Sequence, residues 1–148
     1  MPDILTSLHG RKLGLDKTGA LVGNGIQLSP PCVDASIVVS AENTNVRTIT
    51  IQLKDANGND INYVESVTLV LYLNAARTAY AVTGGSTGIA IGTDGALLAL
   101  VAKKVFLATS EADGDIDLTW TDTGTEAAFL GVHLPNGRVI MSDALTNT

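Results

Sequence analysis

The chain has 148 residues, of which 45% are hydrophobic, 16% charged and only 4% aromatic, and its net charge is −6. That length suits one domain, which buries roughly 68–70% of its unfolded surface and needs neither metal nor disulfide to fold. A single cysteine, Cys32, excludes an intrachain disulfide, and no apolar run reaches the roughly 18–20 residues of a membrane-spanning helix.

The N-terminus lacks the basic-then-apolar pattern of a secretion signal, so the expectation is a soluble protein made in a cytoplasm, with no membrane partner. Residues 1–34 balance their charges, whereas residues 35–148 carry six bases against twelve acids. Nucleic-acid binding depends on neutralising phosphates, so nucleic acid is not an expected partner.

Residues 1–34 are set apart by recurrent glycines (Gly10, Gly14, Gly19, Gly23, Gly25) and end at Pro30 and Pro31. Glycine at this density weakens helices and strands alike. The apolar residues between them still offer surface for docking. The segment reads as an extended arm with Ile4, Leu5, Leu8, Leu13, Leu15, Leu21 and Val22 as partner-binding anchors. An irregular segment folded back on its own domain is the equal alternative.

From residue 35 to 148 the period is two. Val46–Lys54 sets Ile49, Ile51 and Leu53 on one face and Thr48, Thr50 and Gln52 on the other, as a half-buried strand does. The Asp55–Asp60 turn cluster follows. Glu65–Asn74 places Val67, Leu69, Leu71 and Leu73 on one face, while Val70 and Tyr72 make the other face apolar too. That pattern predicts a strand that is central or covered on both sides.

Shorter strands are expected at Thr78–Val82 and Gly88–Ile91, with flexible glycine-rich links between them. Asp94-Gly95 marks a turn. The run Ala96–Ala108 has residues that favour helix (Ala, Leu) and residues that favour strand (Val101, Val105, Phe106), and is read as strand. Asp115–Thr121 alternates Ile116, Leu118 and Trp120 with polar residues. Ala127–Leu134 and Arg138–Met141 complete the series around a Pro135-Asn-Gly137 turn. Strands every 8–12 residues predict an all-β fold, an antiparallel Ig-like sandwich or barrel-like sandwich, with the arm in front.

Chemistry-bearing residues are sparse. His9 and His133 lack the spacing of a zinc site, and Cys32 beside two prolines reads as a half-buried thiol, not a nucleophile. Gly84-Gly-Ser-Thr-Gly88 superficially resembles a phosphate cradle, yet no Lys-Ser/Thr pair follows, so it reads as a flexible loop. Asp55-Ala-Asn-Gly-Asn-Asp60 and Asp113-Gly-Asp-Ile-Asp117 concentrate oxygen ligands. In the first, glycine sits fourth and no glutamate stands twelfth, so it is no EF-hand; hairpin turns use the same residues. No catalytic, cofactor or metal residue is assigned, and a non-enzymatic role is expected. The acidic span 111–126 reads as a solvated rim or a patch facing a basic partner.

The stretch Val46-Arg-Thr-Ile-Thr-Ile-Gln-Leu-Lys-Asp-Ala-Asn-Gly-Asn-Asp-Ile61 resembles a strand–turn–strand of phage Ig-like modules, where a strand runs into an Asp-x-Asn-Gly turn. His9-Gly-Arg-Lys-Leu-Gly-Leu-Asp16 and Gly19-Ala-Leu-Val22 resemble the N-terminal arms of small phage head and tail proteins. The resemblance covers about half the chain and transfers no site residues. It implies a virion protein made in the host cytoplasm: a capsid decoration (cement) or head-fibre protein. Such a protein binds the major capsid protein or other virion subunits, often as a homotrimer, and uses no cofactor. A tail or fibre component for host attachment and a bacterial Ig-like adhesion module are the alternatives.

Overall fold

The computed structural model describes residues 12–148. Their regular structure is twelve strands and no helix: β1 (Leu13–Leu15), β2 (Leu21–Gly23), β3 (Ile26–Gln27), β4 (Asp34–Val39), β5 (Val46–Lys54), β6 (Ser66–Tyr72), β7 (Gly88–Ile91), β8 (Ala96–Val101), β9 (Val105–Thr109), β10 (Asp115–Thr121), β11 (Phe129–His133) and β12 (Val139–Ala144). All pair antiparallel, in three open sheets ordered β1-β2-β3, β4-β5-β10-β7 and β12-β11-β6-β9-β8.

The two larger sheets stack as a sandwich because each has one apolar face. In the first, Ile51 pairs with Ile116 and Ile49 with Leu118. In the second, Leu69 lies between Phe106 and Val132, and Leu71 opposite Leu130. These side chains and Trp120 form one buried core. Each fully buried Leu or Ile contributes about 1.5–3 kcal/mol relative to exposure. The expected apolar-on-both-faces strand is β6, and it is the middle strand of its sheet.

The neighbour order is that of an immunoglobulin sandwich. With β4, β5, β10 and β7 taken as A, B, E and D, and β6, β11 and β12 as C, F and G, the sheets read ABED and CFG. The route differs in the middle. The chain visits β7 in the first sheet before returning to lay down β8 and β9 beyond β6, so β8 becomes the outer edge.

Three differences from the sequence reading have local causes. Thr78–Val82 forms no strand, only one bridge from Tyr80 to Tyr72. Arg77 takes a left-handed φ of 59°, and Asn74 bonds both the amide and the hydroxyl of Thr78, which curls the chain. The run Ala96–Ala108 divides into the β8–β9 hairpin at a turn where Lys103 has φ 60°. The N-terminal segment carries its own small sheet, with Asn24-Gly25 as the left-handed turn between β2 and β3.

Candidate functional site

The N-terminal sheet is held by its first turn. The Asp16 carboxylate accepts bonds from the amides of Thr18 and Ala20 and from the Thr18 hydroxyl. That turn docks on the Asp55–Asn59 turn: the Ala56 amide donates to the Thr18 carbonyl (3.2 Å) and the Asn57 side chain to the Lys17 carbonyl (3.1 Å). A Cβ on Gly19 would come within 2.8 Å of the Ala56 methyl, so the close approach requires glycine. Ala20 in the same turn is buried, while no residue of the three strands is. Leu15, Ile26 and Leu28 stand 72, 67 and 57% exposed.

Of the arm anchors, Leu13, Leu21 and Val22 are half-buried and Leu15 is the most exposed. Ile4, Leu5 and Leu8 lie outside the described residues. Ile26 and Leu28 belong to the same surface but were not among the predicted anchors. Recognising Asn24-Gly25 as a hairpin turn would have added them.

Among the described residues, those with catalytic potential are not brought together, and His9 lies outside them. Cys32 is buried in the core, and burial, with help from Glu65, pushes its thiol up to about 11. Such a thiol stays protonated at neutral pH and is a poor nucleophile. His133 faces the other side of the second sheet, 2.9 Å from the Tyr72 hydroxyl and stacked on its ring. Burial and then Arg77 lower its pKa. No hydrogen bond joins Cys32 to His133.

The glycine-rich loop at 84–88 is a nest for an anion, and the protein supplies the anion itself. The amides of Thr83 (2.7 Å), Gly84 (3.3 Å) and Gly85 (2.8 Å) and the Thr83 hydroxyl all donate to the Glu126 carboxylate. The Ser86 amide donates to Asp122. Burial pushes the Glu126 carboxyl up, but the donors outweigh it and hold the group at about 2. Gly85 has φ 78°, and a Cβ there would lie 2.7 Å from the Trp120 ring. The loop predicted to be flexible is thus pinned to the core and filled by a carboxylate, which leaves no cradle for a phosphate.

Of the two acidic turns, the first uses its carboxylate internally: Asp55 accepts the amides of Asn57 (2.8 Å) and Asn59 (3.0 Å). The second gathers Asp94, Asp115 and Asp117 with oxygens within 4.8 Å of one another, the one group among the described residues with the spacing of a cation site. Asp117 is bonded to the hydroxyls of Thr50 and Thr93, and both lower its pKa. One buried Asp115 oxygen has no hydrogen-bond partner, and burial followed by Asp117 raises its pKa.

Exposed apolar side chains also stand on β8, where Leu98, Leu100 and Val101 are 61, 55 and 52% exposed, and in the 80–82 segment, at Tyr80 and Val82. No family model, curated protein or solved structure matches the chain. The class that the fold defines is an antiparallel β-sandwich with immunoglobulin-like neighbour order.

Proposed function

We propose that this protein is a non-enzymatic structural subunit of a virus particle, a capsid decoration or cement protein that binds the major capsid protein through its N-terminal sheet. The observation that carries this reading is the cluster of Leu15, Ile26 and Leu28, three large apolar side chains left in water on a sheet whose hydrogen bonds to the sandwich, among the described residues, come from one turn. Exposed apolar clusters of this kind mark interaction sites. The resemblance of the 46–61 segment and of the arm to phage modules supplies the setting. Few bases and a net charge of −6 agree with a protein partner.

The test uses particles of the virus that encodes the chain. Purified protein should co-sediment with the particles, and the double change Leu15→Asp, Ile26→Asp should weaken binding at least about tenfold, the loss of roughly 1.4 kcal/mol or more. Deleting residues 1–25 should leave a folded sandwich that no longer binds. A protein absent from particles and unable to bind them would overturn the reading. Unfolding of the deletion variant at room temperature would also do so, since the segment would then be core.

A further inference from the structure

Strand β8 ends the second sheet, and no backbone group from Ala96 to Leu100 bonds outside the β8–β9 pair among the described residues. Proteins blunt such edges with lysine, proline or inward charges. Here the six residues Ala-Leu-Leu-Ala-Leu-Val hold none of these; only an irregularity at Leu100 interrupts the register. The charges stand instead at the two ends, and they are opposite. At the entry lie Asp94 and Glu111, which accepts the Gly95 amide (3.3 Å), with Asp115 and Asp117 behind Asp94 on β10 of the other sheet. At the exit are Lys103 and Lys104. Lys103 is committed to the carbonyls of Gly85 (3.0 Å) and Ser86 (2.7 Å), while Lys104 makes no side-chain hydrogen bond among the described residues.

We infer that β8 pairs antiparallel with β8 of a second copy, about a two-fold axis near Ala99, joining the two five-stranded sheets into one. The charge pattern selects this partner and this direction. Antiparallel pairing sets the acidic entry of each copy beside the lysine exit of the other, twice per dimer. Parallel pairing would set acid on acid and lysine on lysine. A two-fold contact uses the same patch on both copies, so one complementary arrangement satisfies both. The seam is short, which makes the dimer weak and reversible.

Sedimentation velocity from about 10 µM to 1 mM tests this, at low and high salt. The wild type should pass from monomer to dimer as concentration rises, more weakly at high salt. Leu98→Lys should abolish the dimer. Asp94→Lys and Lys104→Asp should each weaken it about tenfold, and the two together should restore it to within about threefold of wild type. Circular dichroism confirms that each variant is folded. Hydrogen exchange on the unaltered protein gives a check free of variants: amides of Ala96–Val101 should gain protection with concentration. Strict monomer at 1 mM in low salt, an oligomer indifferent to Leu98→Lys, or a double variant no better than the singles would overturn the inference. So would a trimer that ignores the charge changes, or an edge that pairs only with a foreign strand.

Discussion

The two large sheets share a core but turn very different faces to the outside. The outward side of the four-stranded sheet is mostly polar, with Ser36, Thr48, Thr50, Gln52, Asp115, Asp117, Thr119 and Thr121 and cross-strand bonds such as Thr50 to Asp117 (2.7 Å), and carries Val38, Val46 and Ala90 as its apolar members. The outward side of the five-stranded sheet is mostly apolar, with Val70, Tyr72, Leu98, Val101, Val105, Leu107, Phe129, Val139 and Met141, and carries Ser66, Thr68, Thr109 and His133 as its polar members. Water satisfies the first face. The second is mostly apolar, and Val70 at its centre is buried by its own neighbours on that face. One sheet is finished mainly as a surface and the other mainly as an interior.

The largest expected effect tests that contrast directly. Val70→Asp would bury an unpaired carboxylate and should cost about 3 kcal/mol or more, enough to unfold a marginal domain. Thr119→Asp, at an outward position of the other sheet, should cost less than about 1 kcal/mol. Urea unfolding of both variants measures the gap. Equal costs would erase the distinction between the faces.

A smaller effect concerns the crossover that carries the chain from β6 in one sheet to β7 in the other. Glu126 anchors that loop, and Glu126→Gln should cost about 1–3 kcal/mol by weakening bonds to an ionised acceptor. Because the folded carboxyl is held at about 2, below its usual value of 4.5, its contribution is present above pH 4.5 and fades as pH falls toward 2. The stability difference between wild type and variant should shrink across that window. A difference that stays constant with pH would show that the ionised carboxylate does not hold the loop.

What the sequence revealed follows the same contrast. Strands β5, β7 and β10 lie within their predicted spans, and β5 and β10 alternate because one side meets water and the other the core. β6 announced its central place through Val70 and Tyr72. β4 was less legible because its turn into β5 hides its signal: Thr44 and Asn45 both take positive φ without a glycine, a conformation the residue types do not advertise. In the N-terminal segment the reverse held. Glycines at 19 and 25 suggested looseness, yet both serve tight turns with φ of 81°. The Glu126 nest was illegible, since it joins residues some forty positions apart and nothing local to Gly84–Gly88 names the anion. Nor does the pattern Ala-Leu-Leu-Ala-Leu-Val tell whether it lies inside a sheet or at its edge; only the strand order decides that.

The smallest effect lies at the acidic end of the polar face, where that finish is imperfect. Asp115 has one buried oxygen without a partner and faces Asp117, Asp94 and Asp113, and burial with these neighbours raises its pKa. A carboxyl whose folded pKa is raised favours the fold while protonated and costs stability once pH rises through its unfolded and folded values. Asp115→Asn removes the charge and keeps the shape, so it should stabilise the protein at pH 7, by a few tenths of a kcal/mol to about 1. The gain should vanish below the ordinary aspartate range, where wild type is neutral there too. Thermal unfolding of both proteins at pH 7 and pH 3 checks this. A variant less stable than wild type at pH 7 would mean that the ionised Asp115 is itself a partner the fold relies on, and the polar face would then be as complete as the core behind it.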